Sequence, residues 1–175
     1  MRIGEKGERG APGFDDPLGL LQACHERIEG HCATLVRLAA HVRIHGGDRE
    51  AQAAAGRVHH YFAQAGRWHH EDEERDLAPL LQRHADSAWS AVIARLMGEH
   101  RALEQAYAPL KPLLQALPMI PADLPIEPYV SLMRAHMAAE NTVLLPRARA
   151  VLEASEVAAL GRAMAARRGV RLEGP

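Results

Sequence analysis

Four long segments of this chain carry apolar residues at helical spacing, and this pattern constrains its fold more than any other feature. Each segment starts at an aspartate or proline suited to a helix N-terminus. Few segments alternate as β-strands do. The segments begin at Pro17, Asp48, Asp86 and Pro128 and end near Gly46, His84, Leu110 and Leu152. We therefore predict an all-α, up-and-down four-helix bundle.

Proline and glycine positions add detail to this prediction. Six of the eleven prolines lie between residues 109 and 128, which predicts an extended crossover without a helix. Pro79 is expected to kink or tighten the end of the second helix. Ser155 is predicted to cap a short fifth helix over residues 156–168, which Gly169 closes.

The chain of 175 residues is expected to hold one bundle domain at 16–152, a disordered tail at 1–15, and a C-terminal helix and tail at 153–175. Its 21 basic and 22 acidic residues argue against a nucleic-acid surface. No apolar run approaches the roughly 20 residues that a membrane span needs. The charged, glycine-rich N-terminus does not resemble a signal peptide, so a cytoplasmic location is expected. Cys24 and Cys32 are too few for a disulfide scaffold and are expected to be reduced and buried.

Histidine is unusually frequent, with 11 residues against seven of Phe, Trp and Tyr together. Five of the 11 are followed four residues later by glutamate, where 15 glutamates among 175 residues give about one by chance. Residues four apart lie on one face of a helix. Taken singly, such pairs are most simply surface pairs that stabilise a helix by roughly 0.2–0.5 kcal/mol each.

Two of these pairs share a longer pattern, H-x3-E-x5-P. It occurs in HHEDEERDLAP at residues 69–79 and again in HMAAENTVLLP at residues 136–146. The second string has apolar flanks, which places its histidine and glutamate toward the core. Buried charge requires a partner, and a metal ion is the simplest one.

Each predicted helix offers one or two such residues, six in all. A structural zinc site needs four ligands, whereas six nitrogen and oxygen ligands better suit two metal ions bridged by both glutamates. The absence of thiolate ligands favours iron or manganese, with zinc as a further alternative. The predicted ligands are His25, His69, Glu73, His100, His136 and Glu140.

Two other metal-binding patterns are disfavoured. Ferritin-type bundles use E-x-x-H, but no histidine here has glutamate three residues before it. Zinc metalloproteases use H-E-x-x-H. His25-Glu26 and His70-Glu71 start that string, and neither is completed by a second histidine.

The four motifs, in their order along residues 18–152, resemble the hemerythrin-like family, also called HHE cation-binding domains. They are LLQACHERIEGH, HHEDEERDLAPLL, MGEHRALE and HMAAENTVLLP. The resemblance implies a four-helix bundle around a non-haem di-iron centre. It also implies that Glu73 and Glu140 are the bridging carboxylates.

The sequence departs from the oxygen-carrying hemerythrins, which have H-x3-H on the third helix and H-x4-D on the fourth. Here Leu96 stands four residues before His100, and the fourth helix has H-x3-E. One histidine fewer argues against reversible oxygen storage and predicts an open or differently filled coordination position. The residues that remain candidates for it are His41, His45 and Glu104, with His70 and Glu74 as a register alternative.

The resemblance implies a di-iron protein that binds or senses O₂, NO or peroxide, or handles iron. One alternative is a di-iron peroxidase, oxidase or iron-centre repair enzyme, so the enzyme question stays open. A second alternative is a metal-free helical interaction module. No nucleophile–base pair or phosphate loop is evident, no catalytic residue is predicted, and no protein partner is indicated.

Overall fold

The computed structural model of the chain describes residues 12–116 and 119–172, and within them all regular structure is helical. The all-α bundle prediction is confirmed, with four long helices and two short ones. No helix in the described part of the chain has the length and apolar character to cross a membrane. The helices are α1 (Pro17–His45), α2 (49–82), α3 (Ser87–Tyr107), α4 (Leu110–Gln115), α5 (127–151) and α6 (Ala154–Arg167).

Aspartates begin the first three long helices, as the sequence predicts. Asp16, Asp48 and Asp86 each accept a hydrogen bond from the backbone N–H three residues further on, at 2.9–3.0 Å. Gly46 ends α1 with φ of 71°, a left-handed conformation that glycine adopts without strain. Local capping therefore sets where these helices begin and where α1 ends.

Two predictions about the shorter elements are wrong. The crossover is not fully extended, because Leu110–Gln115 forms α4. Pro112 is the third residue of α4, where the backbone N–H has no helical partner to lose. The cap of α6 is Glu153 and not Ser155. The side chains of Glu153 and Glu156 bond each other's backbone N–H groups in a capping box.

Three wide π-helical turns interrupt the long helices, two in α2 and one in α5. Two of them are Glu73–Leu77 and Glu140–Leu144, and each ends just before a proline-containing turn. Proline cannot donate the usual hydrogen bond and collides with the carbonyl four residues earlier. A π turn absorbs that conflict, so Pro79 is accompanied by a widened turn, where a kink or a tightening was predicted.

Apolar side chains of the long helices form two clusters with a polar layer between them. On α1, Leu21 belongs to one cluster and Ile28 to the other, and His25 lies between them at spacings of four and three residues. On α3, His100 lies between Leu96 and Leu103 in the same way. These spacings keep all three residues on one helix face, so the histidine is buried with its apolar neighbours.

The predicted N-terminal tail is described only in part, since residues 1–11 lie outside the described residues. Phe14 is partly buried and packs against the apolar cluster that contains Leu21. Its carbonyl lies against Gly161 of α6. A Cβ at Gly161 would overlap that carbonyl oxygen. Glycine at this position therefore lets the start of the described chain approach α6.

Gly161→Ala should lower the free energy of unfolding by roughly 1–3 kcal/mol, because the methyl group forces α6 and Phe14 apart. Gly98→Ala is the matched control. Gly98 lies on α3 with open space around it, so alanine there should stabilise by roughly 0.5–1 kcal/mol. Urea midpoints of the two variants should move in opposite directions. Equal midpoints would contradict the packing described.

Candidate metal centre

Six polar side chains fill the layer between the two apolar clusters, and they are the six that the sequence pattern selects. The imidazoles are at most 3% exposed and both carboxylates are fully buried. The structure thus brings all of them together, while their role as ligands stays a prediction. They are His25, His69, Glu73, His100, His136 and Glu140.

The nitrogen and oxygen atoms of these side chains form two groups that share both carboxylates. His25 and His69 belong to the first group, with their Nε2 atoms 3.1 Å apart. His100 and His136 belong to the second, also with Nε2 atoms 3.1 Å apart. Within each group the candidate ligand atoms lie within 4.8 Å of one another. Each group therefore offers two nitrogens and two carboxylates to one position.

Glu73 extends between the two groups. Its Oε1 atom lies 3.4 Å from His69 Nε2 and 3.7 Å from His25 Nε2, both in the first group. Its Oε2 atom lies 3.4 Å from His100 Nε2, in the second group. One carboxylate thus directs a different oxygen to each position, which is the arrangement that a bridging ligand requires.

Glu140 is placed in the same way, with Oε2 3.2 Å from His25 Nε2 and Oε1 3.1 Å from His136 Nε2. None of the four oxygens of Glu73 and Glu140 has a hydrogen-bond partner among the described residues. An ionised carboxylate buried without such partners is costly, by several kcal/mol. The layer therefore calls for positive charge at its centre.

The imidazoles supply that positive charge when no other cation does. Burial opposes protonation of His25, but Glu140 and Glu73 outweigh it and raise the pKa of His25 to about 10. Burial is likewise outweighed at His100, where Glu73 helps raise the pKa to about 9. Conversely, burial disfavours ionised Glu73, but the facing imidazoles hold its pKa well below the usual range.

Three of the four imidazoles donate a hydrogen bond from Nδ1 to an oxygen on a neighbouring helix, which turns Nε2 toward the layer. Sequence reasoning missed these acceptors. Each is adjacent in sequence to a predicted ligand, and that adjacency is the signal that could have found them. The pairs are His25 with Asn141 at 2.8 Å, His100 with Glu74 at 2.7 Å and His136 with Glu99 at 2.9 Å.

The fourth imidazole differs, since Nδ1 of His69 has no hydrogen-bond partner among the described residues. The thiol of Cys24 lies beside this ring. Burial disfavours the Cys24 thiolate, but His69 and Arg27 outweigh burial and lower the pKa of Cys24. Cys32 is also buried, and burial raises its pKa to about 12. Both cysteines are unpaired, as predicted.

The other candidate ligands lie outside both groups. His41 is hydrogen-bonded to Asp48 at 3.0 Å near the end of α1, and the exposed His45 ring lies 4.7 Å from that of His41. Glu104 is exposed on α3. None of these side chains therefore belongs to either group, and the open coordination position stays a prediction.

His70 also lies outside both groups. It follows His69 directly on the helix, so its side chain points in a different direction. Its ring stacks on that of His100, with centroids 4.1 Å apart and planes 9° from parallel. Burial, together with the neighbouring imidazoles, lowers the pKa of His70 well below its ordinary value. His70 is therefore a neutral ring against the outer face of the cluster and not an additional member of it.

The protein is thus a helical bundle that buries two pairs of histidines around two shared carboxylates. Such a polar layer is compatible with metal binding. The family model of the hemerythrin HHE cation-binding domain matches residues 16–148, and the chain belongs to this family. The predicted resemblance is confirmed. An uncharacterized protein of Haemophilus influenzae is 28% identical over 163 residues, which cover 90% of this chain and 93% of that relative.

Proposed function

We propose that the chain binds two metal ions in the buried layer, with two imidazoles at each position and with Glu73 and Glu140 bridging them. The observation that carries this proposal is that two fully buried carboxylates each direct one oxygen to either pair of histidines. Native proteins rarely bury a carboxylate without a donor or cation at its oxygens. The division of the atoms into two groups that share both glutamates supports two ions and not one.

Iron is the metal that we propose, with manganese and zinc as competitors to be tested. Imidazole and carboxylate ligands without thiolate suit iron and manganese. Two iron ions in such a layer supply coordination positions for O₂, NO or peroxide. The chain's own contribution is to orient the imidazoles through Nδ1 and to keep water out with apolar clusters on both sides. We propose binding or sensing of such a small molecule, or iron handling, in the cytoplasm.

The ligand proposal is tested by loading the protein with ferrous iron without oxygen and adding NO, O₂ or peroxide separately. The absorption spectrum should change with at least one of them, and Glu140→Gln treated identically should show no change. An unchanged spectrum of the fully loaded protein with all three would contradict small-molecule binding. Repeated consumption of peroxide by the loaded protein would instead identify an enzyme.

Metal binding should release protons, because the ligating imidazoles must give up protons that the carboxylates hold on them. The raised pKa values of His25 and His100, about 10 and about 9, set the direction. Apparent affinity should therefore rise as the pH increases from neutral toward about 9. Calorimetry in buffers of different ionisation enthalpy measures the release directly. A heat of binding that does not depend on the buffer would contradict protonated imidazoles in the metal-free layer.

A further inference from the structure

A cavity of about 280 Å³ lies beside the polar layer, between α1, α2, α3, α4 and α5. Its volume is at the lower end of the range for ligand pockets, which suits a molecule of one or two rings. None of the six predicted metal ligands lines it, so it is a separate feature. Its apolar walls are formed by Ile28, Phe62, Leu103, Tyr107, Tyr129 and Met133.

Three aromatic rings form one side of this cavity, and they meet at angles. The centroid of Phe62 lies 5.3 Å from that of Tyr107 and 5.4 Å from that of Tyr129, with interplanar angles of 59° and 88°. Tyr107 and Tyr129 are 4.9 Å apart at 45°. Tilted and edge-to-face contacts are the preferred geometry of aromatic packing. A further ring in the cavity would extend this cluster.

The backbone is widened at the same place by the π turn Phe62–Gly66, which supplies Phe62, Ala63 and Gly66 to the cavity wall. Unlike the other two π turns, it is not followed by a proline. Gly66 is buried, and a Cβ there would come within 3.1 Å of the Phe62 ring. π turns of this kind are frequent at functional sites. This one places an aromatic ring at a cavity.

The polar part of the cavity includes His70. The ring is partly exposed and forms no hydrogen bond with the described residues, while one face is covered by His100. A neutral imidazole has one nitrogen that donates and one that accepts. Arg67 and Lys111 are only partly offset by Glu104 among the lining residues, so the lining keeps one net positive charge and disfavours a cationic ligand. The ligand that matches is aromatic, able to hydrogen-bond and not cationic.

We propose that this cavity binds a small phenol, with its ring against Phe62, Tyr107 and Tyr129 and its hydroxyl group hydrogen-bonded to His70. The proposal goes beyond the metal-binding function and does not require a metal ion. Since His70 stacks on His100, a bound phenol would lie one ring away from the polar layer. The site therefore provides a place for an organic molecule next to the metal centre.

Naphthol and naphthalene share a ring system and differ in one hydroxyl group. The proposal is tested by titrating each ligand with the full chain and following the ligand's fluorescence. Naphthol should bind roughly three- to tenfold more tightly, which is the contribution of one hydrogen bond. His70→Phe keeps a stacked ring and removes the nitrogen atoms, so it should remove this preference and leave naphthalene binding unchanged. Equal binding of both ligands by the unsubstituted protein, or a preference that survives in His70→Phe, would overturn the assignment.

A second pair of variants tests the location. Ala63 lines the cavity, whereas Gln64 is exposed in the same π turn and does not line it. Ala63→Trp should therefore weaken naphthol at least tenfold, and Gln64→Trp should leave it unchanged. Equal effects of the two, or no binding by the unsubstituted protein, would reject the cavity as a phenol site. Metal content and helicity are measured on each preparation, so a failure of this proposal is distinguishable from a failure of the metal proposal.

Discussion

Glu140→Gln should lose iron from both positions of the buried layer, because the carboxylate directs one oxygen to each group. An amide of the same shape carries no negative charge and does not bridge two cations. Glu73→Gln should behave in the same way, since Glu73 is also shared by both groups. Iron per chain after anaerobic loading and desalting is the measurement. Both variants should retain less than about a quarter of the iron of the unsubstituted protein.

Histidine variants add the necessary contrast. His136→Ala should also lose most of the iron, since it removes a nitrogen from the second group. His84→Ala is the matched control, because His84 lies outside the layer and contacts Glu156 of α6 at 2.8 Å. It should retain full iron content. If Glu140→Gln, His136→Ala and His84→Ala all bound equal iron, the proposed ligand set would be rejected.

Removing both guanidinium groups that surround Asp72 should produce the largest loss of stability. Asp72 is fully buried on α2, one residue before Glu73. Its carboxylate accepts hydrogen bonds from Arg167, the last residue of α6, and from Arg168, which follows α6. Arg167 also contacts Asp76 at 2.7 Å. Leaving a buried charge without its partner costs about 3–5 kcal/mol. The double variant Arg167→Ala/Arg168→Ala should therefore melt about 6–20 °C lower.

A pH comparison separates this electrostatic effect from loss of packing. Burial raises the pKa of Asp72 even with both arginines present, so removing them raises that pKa further and favours the neutral carboxyl group. The folded state then binds more protons than the unfolded state, and stability rises as the pH falls. The loss should thus be smaller at about pH 5 than at about pH 8. Arg162→Ala, an exposed position on α6, should change little at either pH. A loss that does not depend on pH would indicate packing alone.

The sequence predicted much of the polar layer because two of its histidines stand where a regular helical stripe would carry an apolar residue. His25 follows Leu21 by four residues and precedes Ile28 by three, so the burial of the helix face also buries the histidine. The pattern repeats around His100. For such residues, helical geometry and the apolar pattern are sufficient to predict which side chains meet.

Other features depend on tertiary contacts that no local pattern encodes. Asp72 lies in an acidic run, and no local pattern marks it as buried. Only the packing of α6 against α2 makes it buried and paired. The acceptors Glu74 and Glu99 reach histidines of neighbouring helices, so they become visible only when those helices are placed. The helix Leu110–Gln115 contradicts the prediction of an extended crossover, because Pro112 lies in the first turn, where proline is permitted.

Metal analysis of the purified chain tests the central claim most directly. The protein is loaded with ferrous iron under anaerobic conditions, separated from free metal and analysed for metal per chain, and its spectrum is recorded before and after exposure to air. We expect about two iron ions per chain, one for each of the two His/Glu groups, and new near-ultraviolet absorption in air. A fully helical protein that retains no metal, whether iron, manganese or zinc is supplied, would contradict it.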